Sequence, residues 1–204
     1  MMLRNAIFAC ALTAAPVVPA LAHDVAHHSL GMDAAAPISG KSLYNLDESW
    51  TNQDGVSGPL SSLRGKPIVA AMGYTSCKDI CPAIVVDMLW IEKHLKPESA
   101  ARVRFAFFSF DSQVDTPERL KLYAQGHGIE PERWTLFNGD EDAVRDLAAA
   151  LGVHYRADEQ GGYDHSAVIS LLDAEGNITF QQIGAQASSK ELLDQLEALL
   201  ASGM

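Results

Sequence analysis

The chain has 204 residues and a formal net charge of −11 at pH 7, a length that suits one domain of ordinary size with additional segments. Lysine and arginine form no cluster that resembles a phosphate-binding face, which argues against nucleic acid as a partner. The sequence contains no repeat of fixed period and no long apolar segment beyond its first residues. These properties indicate a compact domain with an acidic, soluble surface.

The first 22 residues have the pattern of a cleavable signal peptide. A single charge, Arg4, precedes an apolar run from Ala6 to Leu21, which is shorter than the about 20 residues that span a bilayer comfortably. Ala20-Leu21-Ala22 fits the small-x-small cleavage rule. We therefore expect export to the bacterial periplasm with cleavage after Ala22. Retention of the segment as a membrane anchor is the alternative.

Residues 23–40 show no hydrophobic period, and we interpret them as a flexible arm before a single domain at 41–204. Three histidines and one methionine lie within ten residues of this arm. They are His23, His27, His28 and Met32. Such a group could collect copper, and the alternative is a polar tail with incidental histidines.

From residue 41 onward, apolar patterning predicts strands that alternate with helices. The predicted elements are a hairpin within 43–58, a brief element at 60–63, a strand at 68–72, a helix from about Cys81 to 94–96, a strand at 103–110, a helix from Pro117 to about 126, a strand at 134–137, a helix at 140–151, a loop at 155–164, strands at 167–172 and 178–183, and a final helix at 189–200. This order predicts an α/β domain of thioredoxin-like architecture. We expect a central, mainly parallel sheet with a C-terminal hairpin and with helices on both faces.

Two cysteines lie where the strand at 68–72 is predicted to pass into a helix. A spacing of four would place the sulfurs of Cys77 and Cys81 on one face of a helix that begins near Cys77. The free amides at a helix N-terminus favour thiolate over thiol. A disulfide across so short a loop would constrain little of the unfolded chain, so we interpret the pair as functional rather than as a structural staple.

Three segments carry a family resemblance. The cysteine segment Gly73–Pro82 resembles the cysteine motif of the Sco/SenC copper chaperones, and Phe110–Glu118 is similar to their acidic loop. Asp164-His165-Ser166, followed by an apolar strand, resembles their third motif. The segments occur in the family's order over about residues 41–200. One departure is Lys78, which stands where many members have proline and bears on the redox behaviour of the pair.

The resemblance implies a thioredoxin fold that binds one copper ion through Cys77, Cys81 and His165. It also implies delivery of copper to the binuclear copper centre of cytochrome c oxidase, or the maturation of another cuproenzyme. Candidate partners are the apo cuproenzyme, a thiol reductase and a copper-donating chaperone. Asp164 could orient the His165 ring, complete a Cu(II) site, or lie solvated in its loop.

The chemistry of the three predicted ligands leaves the metal open between copper and zinc. Two thiolates and an imidazole form a soft, low-coordinate set that suits Cu(I) and can also hold Cu(II). The same set could hold zinc with an open fourth position. No residue near the motifs resembles a catalytic base for a zinc-bound water, which favours copper.

The principal alternative function is a thiol–disulfide oxidoreductase of thioredoxin type. The usual pair of such enzymes is Cys-x-x-Cys, one residue shorter than the spacing here. They also carry a cis-proline before the strand that faces the cysteines, whereas this chain has no proline after Pro131. A peroxiredoxin lacks support because its Pro-x-x-x-Thr-x-x-Cys signature is absent. A purely structural module would leave His165 and the cysteine pair without a role.

We conclude that the sequence predicts an exported copper metallochaperone with a redox-active pair, Cys77 and Cys81, rather than an enzyme with turnover.

Overall fold

The computed structural model describes residues 42–159, 161–185 and 189–202. The predicted signal peptide and the histidine-bearing arm at 23–40 lie outside the described residues. Over these ranges, no helix is both long enough and apolar enough to cross a membrane.

The described chain folds into nine strands and five α-helices, with two short 3-10 helices at Leu43–Asn45 and Leu60–Leu63. The strands are β1 (Ser49–Asn52), β2 (Ser57–Pro59), β3 (Ile68–Gly73), β4 (Arg104–Ser109), β5 (Trp134–Gly139), β6 (Tyr155–Ala157), β7 (Tyr163–His165), β8 (Val168–Leu172) and β9 (Ile178–Ile183). The helices are α1 (Ile80–His94), α2 (Pro97–Ala100), α3 (Pro117–Gly126), α4 (Glu141–Leu151) and α5 (Lys190–Ala201).

Seven of the strands form one sheet in the order β2-β1-β5-β4-β3-β8-β9. The central strands β3, β4 and β5 are parallel, and the strands on either side of them pair antiparallel. The hairpin β8–β9 and the helix α5 complete the C-terminal part. The predicted fold class is thereby confirmed.

The sheet separates two apolar layers. Along β3, Ala70 and Met72 face the layer under α4, whereas Val69 and Ala71 face the layer under α1, α3 and α5. Successive side chains of a strand point to opposite faces, so a strand buried on both sides must be apolar throughout. All six residues of β3 are buried, which makes this strand a rigid base for the loop that follows it.

The topology brings two distant segments to one edge of the sheet. Because β3 and β8 pair antiparallel, with Ala71 opposite Ile169, the end of β3 lies beside the start of β8. Residues that follow β3 and residues that precede β8 therefore meet. Cys77 belongs to the first group and His165 to the second.

The predicted loop at 155–164 is instead a small antiparallel hairpin, β6–β7, that forms a sheet of its own. Each of its strands has three residues, too few for an alternating pattern to be recognised in the sequence. The turn uses Gly161 in the left-handed region at φ 81°, a conformation that glycine adopts at no steric cost.

Helix α1 begins at Ile80, close to the predicted start near Cys81 and not at Cys77, the start that would have placed both sulfurs on one helical face. Residues Tyr74 to Cys77 form a turn instead, closed by the Cys77 N–H, which donates to the Tyr74 carbonyl at 3.3 Å. Pro82 lies in the first helical turn, where its missing N–H would have had no intrahelical acceptor. The two sulfurs are consequently positioned by a turn followed by a helix rather than by one continuous helix.

Candidate metal centre

The three predicted ligands converge in the folded chain. One donor atom from each of Cys77, Cys81 and His165 lies within 4.8 Å of the others. His165 Nε2 is 3.0 Å from Cys81 Sγ and 3.9 Å from Cys77 Sγ. Atoms that share one metal ion at about 2.0–2.3 Å each lie at such separations. Among the residues that the structure describes, no other group of three or more histidine, cysteine or acidic side chains has this geometry.

The two cysteines differ in exposure. Cys81, in the first turn of α1, is fully buried at 0% exposed, whereas Cys77 is partly exposed. A cleft of about 1440 Å³ opens between the cysteine turn and the β6–β7 hairpin, and Cys77 and His165 line it. Solvent and partners therefore reach the centre through Cys77 and His165.

The backbone around Cys77 favours its thiolate. Burial would raise the pKa of Cys77, but the backbone N–H groups of Cys81, Asp79 and Ile80 together lower it below its usual value. The N–H of Cys81 donates to Cys77 Sγ at 3.5 Å. The sequence-based expectation of a thiolate at a helix N-terminus agrees with this direction for Cys77.

For Cys81 the same expectation is wrong. Burial raises the pKa of Cys81, and its nearness to Cys77 raises it further. The Tyr74 N–H donates to Cys81 Sγ at 3.5 Å, which offsets only part of this effect. The helix N-terminus acts on both sulfurs, but desolvation dominates at the one that is fully buried.

The tautomer of His165 follows from its neighbours. Its Nδ1 lies 3.1 Å from the Ser166 carbonyl oxygen, and a carbonyl can only accept, so Nδ1 carries the hydrogen. Nε2 then presents its lone pair to the sulfurs, the arrangement in which imidazole binds metals. Burial lowers the pKa of His165 and so favours this neutral form.

The Cys81 thiol therefore donates to His165 Nε2 across their 3.0 Å contact. A metal ion that enters the centre must displace this proton, because thiolate and neutral imidazole are the binding forms. The lowered pKa of Cys77 makes its proton easier to remove than that of Cys81, whose pKa is raised. Metal binding is thus expected to release about one proton from the buried cysteine.

A buried polar network holds the turn that carries Cys77. Asp115, fully buried, accepts from the Thr75 N–H at 2.9 Å and from the Ser109 hydroxyl at 2.6 Å. Its second oxygen accepts from the Thr75 hydroxyl, and Arg119 Nε lies 3.6 Å from the same oxygen. The acidic segment of the sequence therefore holds the cysteine turn in place, and its carboxylates lie outside the group of three candidate ligands.

Asp164 is a solvent-exposed carboxylate. It pairs with Arg156 across the hairpin at 2.9 Å, and the ring of His165 is oriented by the Ser166 carbonyl instead. Of the three roles considered for Asp164, the structure supports the solvated one. Lys78 is exposed on the wall of the cleft.

Aromatic rings enclose the imidazole on its protein side, a feature that the sequence reasoning missed. The ring of Phe110 packs against His165 at a centroid distance of 4.9 Å, and that of Tyr74 at 6.0 Å. Phe110 also contacts Tyr155 and Tyr163. The signal available in the sequence was the pair of tyrosines in the segment called a loop, which would be unusual in an unpacked connection.

The residues that form this fold also match a known protein family. The sequence model of the family described as SCO1/SenC matches residues 40–201. The chain belongs to the SCO1/SenC family. Within this family, the chain is 34% identical over 91 residues to a SCO1 protein homolog of Bacillus subtilis, a match that covers 45% of this chain and 47% of the homolog. The chain spans about half the length of the first curated relatives that it matches.

Solved structures of SCO1/SenC proteins share the fold. ScoI of Bradyrhizobium japonicum with copper bound is 25% identical and superposes with a TM-score of 0.63, covering 74% of this chain and 96% of that chain. BsSco, described as a member of the Sco family of cytochrome c oxidase assembly proteins, is 23% identical. Its TM-score is 0.67, and the match covers 80% of this chain and 95% of that chain.

Proposed function

We propose that this protein is a copper metallochaperone that holds copper through Cys77, Cys81 and His165 and delivers it to a cuproenzyme. The observation that supports this most directly is the convergence of two sulfurs and an unprotonated imidazole nitrogen within 4.8 Å. The fold itself brings the three donor atoms together. It is reached through a cleft that a partner protein can approach.

The donor set favours copper over zinc. Two sulfurs and one nitrogen complete a three-coordinate Cu(I) site, and the same soft ligands hold Cu(II). Zinc would leave a fourth position open to water, and no residue near the motifs resembles a catalytic base for a zinc-bound water. Asp164, the nearest carboxylate in the sequence, is engaged with Arg156 on the surface.

The proposed recipient is a copper enzyme such as cytochrome c oxidase, at its binuclear copper centre. This choice rests on membership of the SCO1/SenC family and on the description of BsSco as belonging to a family of cytochrome c oxidase assembly proteins. We place the protein in the periplasm on the basis of the leader at residues 1–22.

The cysteine pair also makes copper loading sensitive to redox state. Formation of a Cys77–Cys81 disulfide releases two electrons and two protons to a disulfide partner, and a dithiol reductase returns them. Tight Cu(I) binding needs both sulfurs as thiolates, so the oxidised form should not bind. A thiol reductase is therefore a proposed partner.

Competitive titration of the reduced protein with Cu(I) tests the proposal. We expect about one Cu(I) per chain, with Cys77→Ala and Cys81→Ala abolishing tight binding. His165→Ala should weaken binding at least about ten-fold, since loss of even an outer-shell partner has an effect of that size. The Cu(II) form of each variant should lose its thiolate or imidazole spectroscopic features accordingly. Unchanged affinity in His165→Ala would remove that residue from the site.

The second candidate is a thiol–disulfide oxidoreductase that acts on cuproenzyme cysteines. The asymmetry of the pair favours it, because an accessible cysteine of lowered pKa beside a buried one suits attack and resolution. Insulin reduction with added dithiol separates the two. A metallochaperone should turn over poorly, whereas rapid turnover that survives His165→Ala would establish the oxidoreductase.

A further inference from the structure

The hairpin that carries His165 lies outside the main sheet. Its position therefore depends on contacts other than the hydrogen bonds between the strands of that sheet. Its own ladder contains the Ser166 N–H bonded to His154 O and the Asp158 N–H bonded to Gly162 O. Hydrogen-bonded pairs alternate along antiparallel strands, so Tyr163 and its partner Ala157 form a non-hydrogen-bonded pair. The N–H and C=O of Tyr163 therefore both point away from β6.

Both of these groups meet one side-chain atom, the hydroxyl of Tyr74. The Tyr163 N–H donates to this oxygen at 3.1 Å, and the hydroxyl faces the Tyr163 carbonyl at 3.4 Å. Tyr74 is 89 residues away in sequence. It directly follows β3 and precedes Cys77 by three positions.

The approach is close enough to restrict the neighbouring residue. A Cβ at Gly162 would lie 2.8 Å from the Tyr74 hydroxyl oxygen and 2.9 Å from Asp158 Oδ2, although the backbone of Gly162 itself is not in the left-handed region. A side chain here would consequently crowd both the Tyr74 hydroxyl and the Asp158 carboxylate without straining the backbone.

We propose that Tyr74 is a positioning residue, whose hydroxyl fixes the strand bearing His165 to the segment bearing the cysteines and so sets the distance between imidazole and sulfurs. This inference rests on the proposed function, because it assigns Tyr74 to the copper centre. The hydroxyl bonds to Tyr163, which lies two residues before His165 in β7, and it belongs to Tyr74, which lies three residues before Cys77. It therefore joins the two ligand-bearing segments at one point.

Tyr74→Phe removes the hydroxyl and keeps the ring that packs against Phe110, Tyr163 and His165. The matched control is Tyr155→Phe, since Tyr155 belongs to the same aromatic group and its hydroxyl makes no hydrogen bond within the part of the chain described. One net hydrogen bond changes an equilibrium constant by up to about ten-fold. We expect Tyr74→Phe to lower Cu(I) affinity about three- to ten-fold and Tyr155→Phe to leave it unchanged.

A metal-free measurement accompanies the titration. The Tyr163 amide should exchange with solvent faster in apo Tyr74→Phe, because its acceptor is gone, while amides of the main sheet keep their rates. The Tyr155→Phe control should match the wild type at both positions. Equal protection of the Tyr163 amide in wild type and Tyr74→Phe would overturn the proposal that the Tyr74 hydroxyl acts as a clamp on β7.

The double variant Tyr74→Phe/His165→Ala separates this inference from the proposed function. If Tyr74 acts through His165, adding Tyr74→Phe to the His165→Ala variant should cause no further loss of Cu(I) affinity, because the imidazole is already absent. A full additional loss would mean that the hydroxyl acts on Cys77 instead and would overturn the inference alone. An unaffected His165→Ala single variant would overturn both proposals.

Gly162→Ala provides a second disturbance of the Tyr74 contact, although it also crowds the Asp158 carboxylate, and Gly58→Ala, which has open space at its Cβ and an ordinary φ, is its control. Gly162→Ala should reproduce the faster exchange of the Tyr163 amide and the loss of affinity. A wild-type affinity in Gly162→Ala, with the Tyr163 amide exposed, would show that the clamp does not position the ligand.

Discussion

Asp115 illustrates how a residue outside the candidate ligand set can determine the geometry of the ligands. The side chain has no exposure to solvent and accepts hydrogen bonds from the backbone and hydroxyl of Thr75 and from the hydroxyl of Ser109. Its own carbonyl accepts from the Asn138 side chain at 2.6 Å. The carboxyl thus joins the end of β4 to the cysteine turn.

Replacing Asp115 with alanine should lower the free energy of unfolding by about 3 kcal/mol, because several buried donors would lose their acceptor together. Urea denaturation monitored by tryptophan fluorescence measures the change. Asp54→Ala is the control, since Asp54 forms an exposed ion pair with Lys121, and such pairs contribute at most about 1 kcal/mol. Similar small losses in both variants would contradict the importance of the network.

Asp111 should make folding stability depend on pH in a defined direction. Burial raises the pKa of Asp111, and the neighbouring Asp115 raises it further. Between the ordinary aspartate pKa and this raised value, the folded state binds the proton more tightly than the unfolded state. The contribution of Asp111 to stability is therefore lost as pH increases through that interval.

Asp111→Asn removes this dependence, and the Val114 N–H keeps its acceptor, because it donates to the backbone carbonyl of Asp111 at 3.2 Å. The variant should be more stable than wild type at neutral pH. The difference should disappear below about pH 3.9, where aspartate is protonated in both states. Denaturation curves over a series of pH values provide the test. A difference that stays constant with pH would contradict the assignment.

At the scale of the secondary-structure elements, the last residue of β3 sets how closely α1 can approach the sheet. A Cβ at Gly73 would lie 2.8 Å from the Phe107 ring and 2.9 Å from Cys81 Sγ. Real Cβ atoms are not found so close to their neighbours, so the helix start and the buried cysteine can take up their positions only against a glycine.

Gly73→Ala should therefore lower the free energy of unfolding by about 1–3 kcal/mol, as expected for an overpacked core. Since the added methyl group would displace Cys81, Cu(I) affinity should decrease in the same variant. Gly58→Ala, on the edge strand β2 with nothing within 4 Å of its Cβ, should change stability by less than about 0.5 kcal/mol. Thermal denaturation and copper titration of both variants provide the comparison.

The secondary-structure elements also differ in how well they can be predicted from the sequence. β3, β4 and β8 were predicted from continuous apolar runs, and α3 from its Thr116 cap and Pro117, because these signals depend on the local chain alone. The three ligands were predicted through the family resemblance. The β6–β7 hairpin was missed, since its stability comes from Tyr74 and Phe110, which are distant in sequence.

The opposite pKa shifts of the two cysteines also could not be predicted from the sequence pattern. Helix position predicts the same effect on both thiols, but the depth of Cys81 beneath the turn is a property of packing between α1, β3 and β4. Desolvation is decided by such packing and outweighs the dipole where a group is completely enclosed.

At the scale of the whole molecule, copper binding should stabilise the fold, because its ligands come from the start of α1 and from β7. With free Cu(I) at 100 times its dissociation constant, a ligand that binds only the folded state adds about 2.7 kcal/mol. Chemical denaturation of wild type with and without buffered Cu(I) measures the increase. Cys81→Ala should show little or none of it, and an equal increase in that variant would indicate that copper binds elsewhere.

The separation of the ligands along the chain has a kinetic consequence. Cys81 and His165 are 84 residues apart, and the loop between them contains β4, β5 and most of the helices. Closing so long a loop carries an entropic cost that is recovered only when the intervening strands have paired. A nascent or refolding chain therefore presents two sulfurs early and the imidazole late. The complete ligand set is a property of the finished fold, and in a chain arrested before β8 docks this site offers copper its two sulfurs without the imidazole.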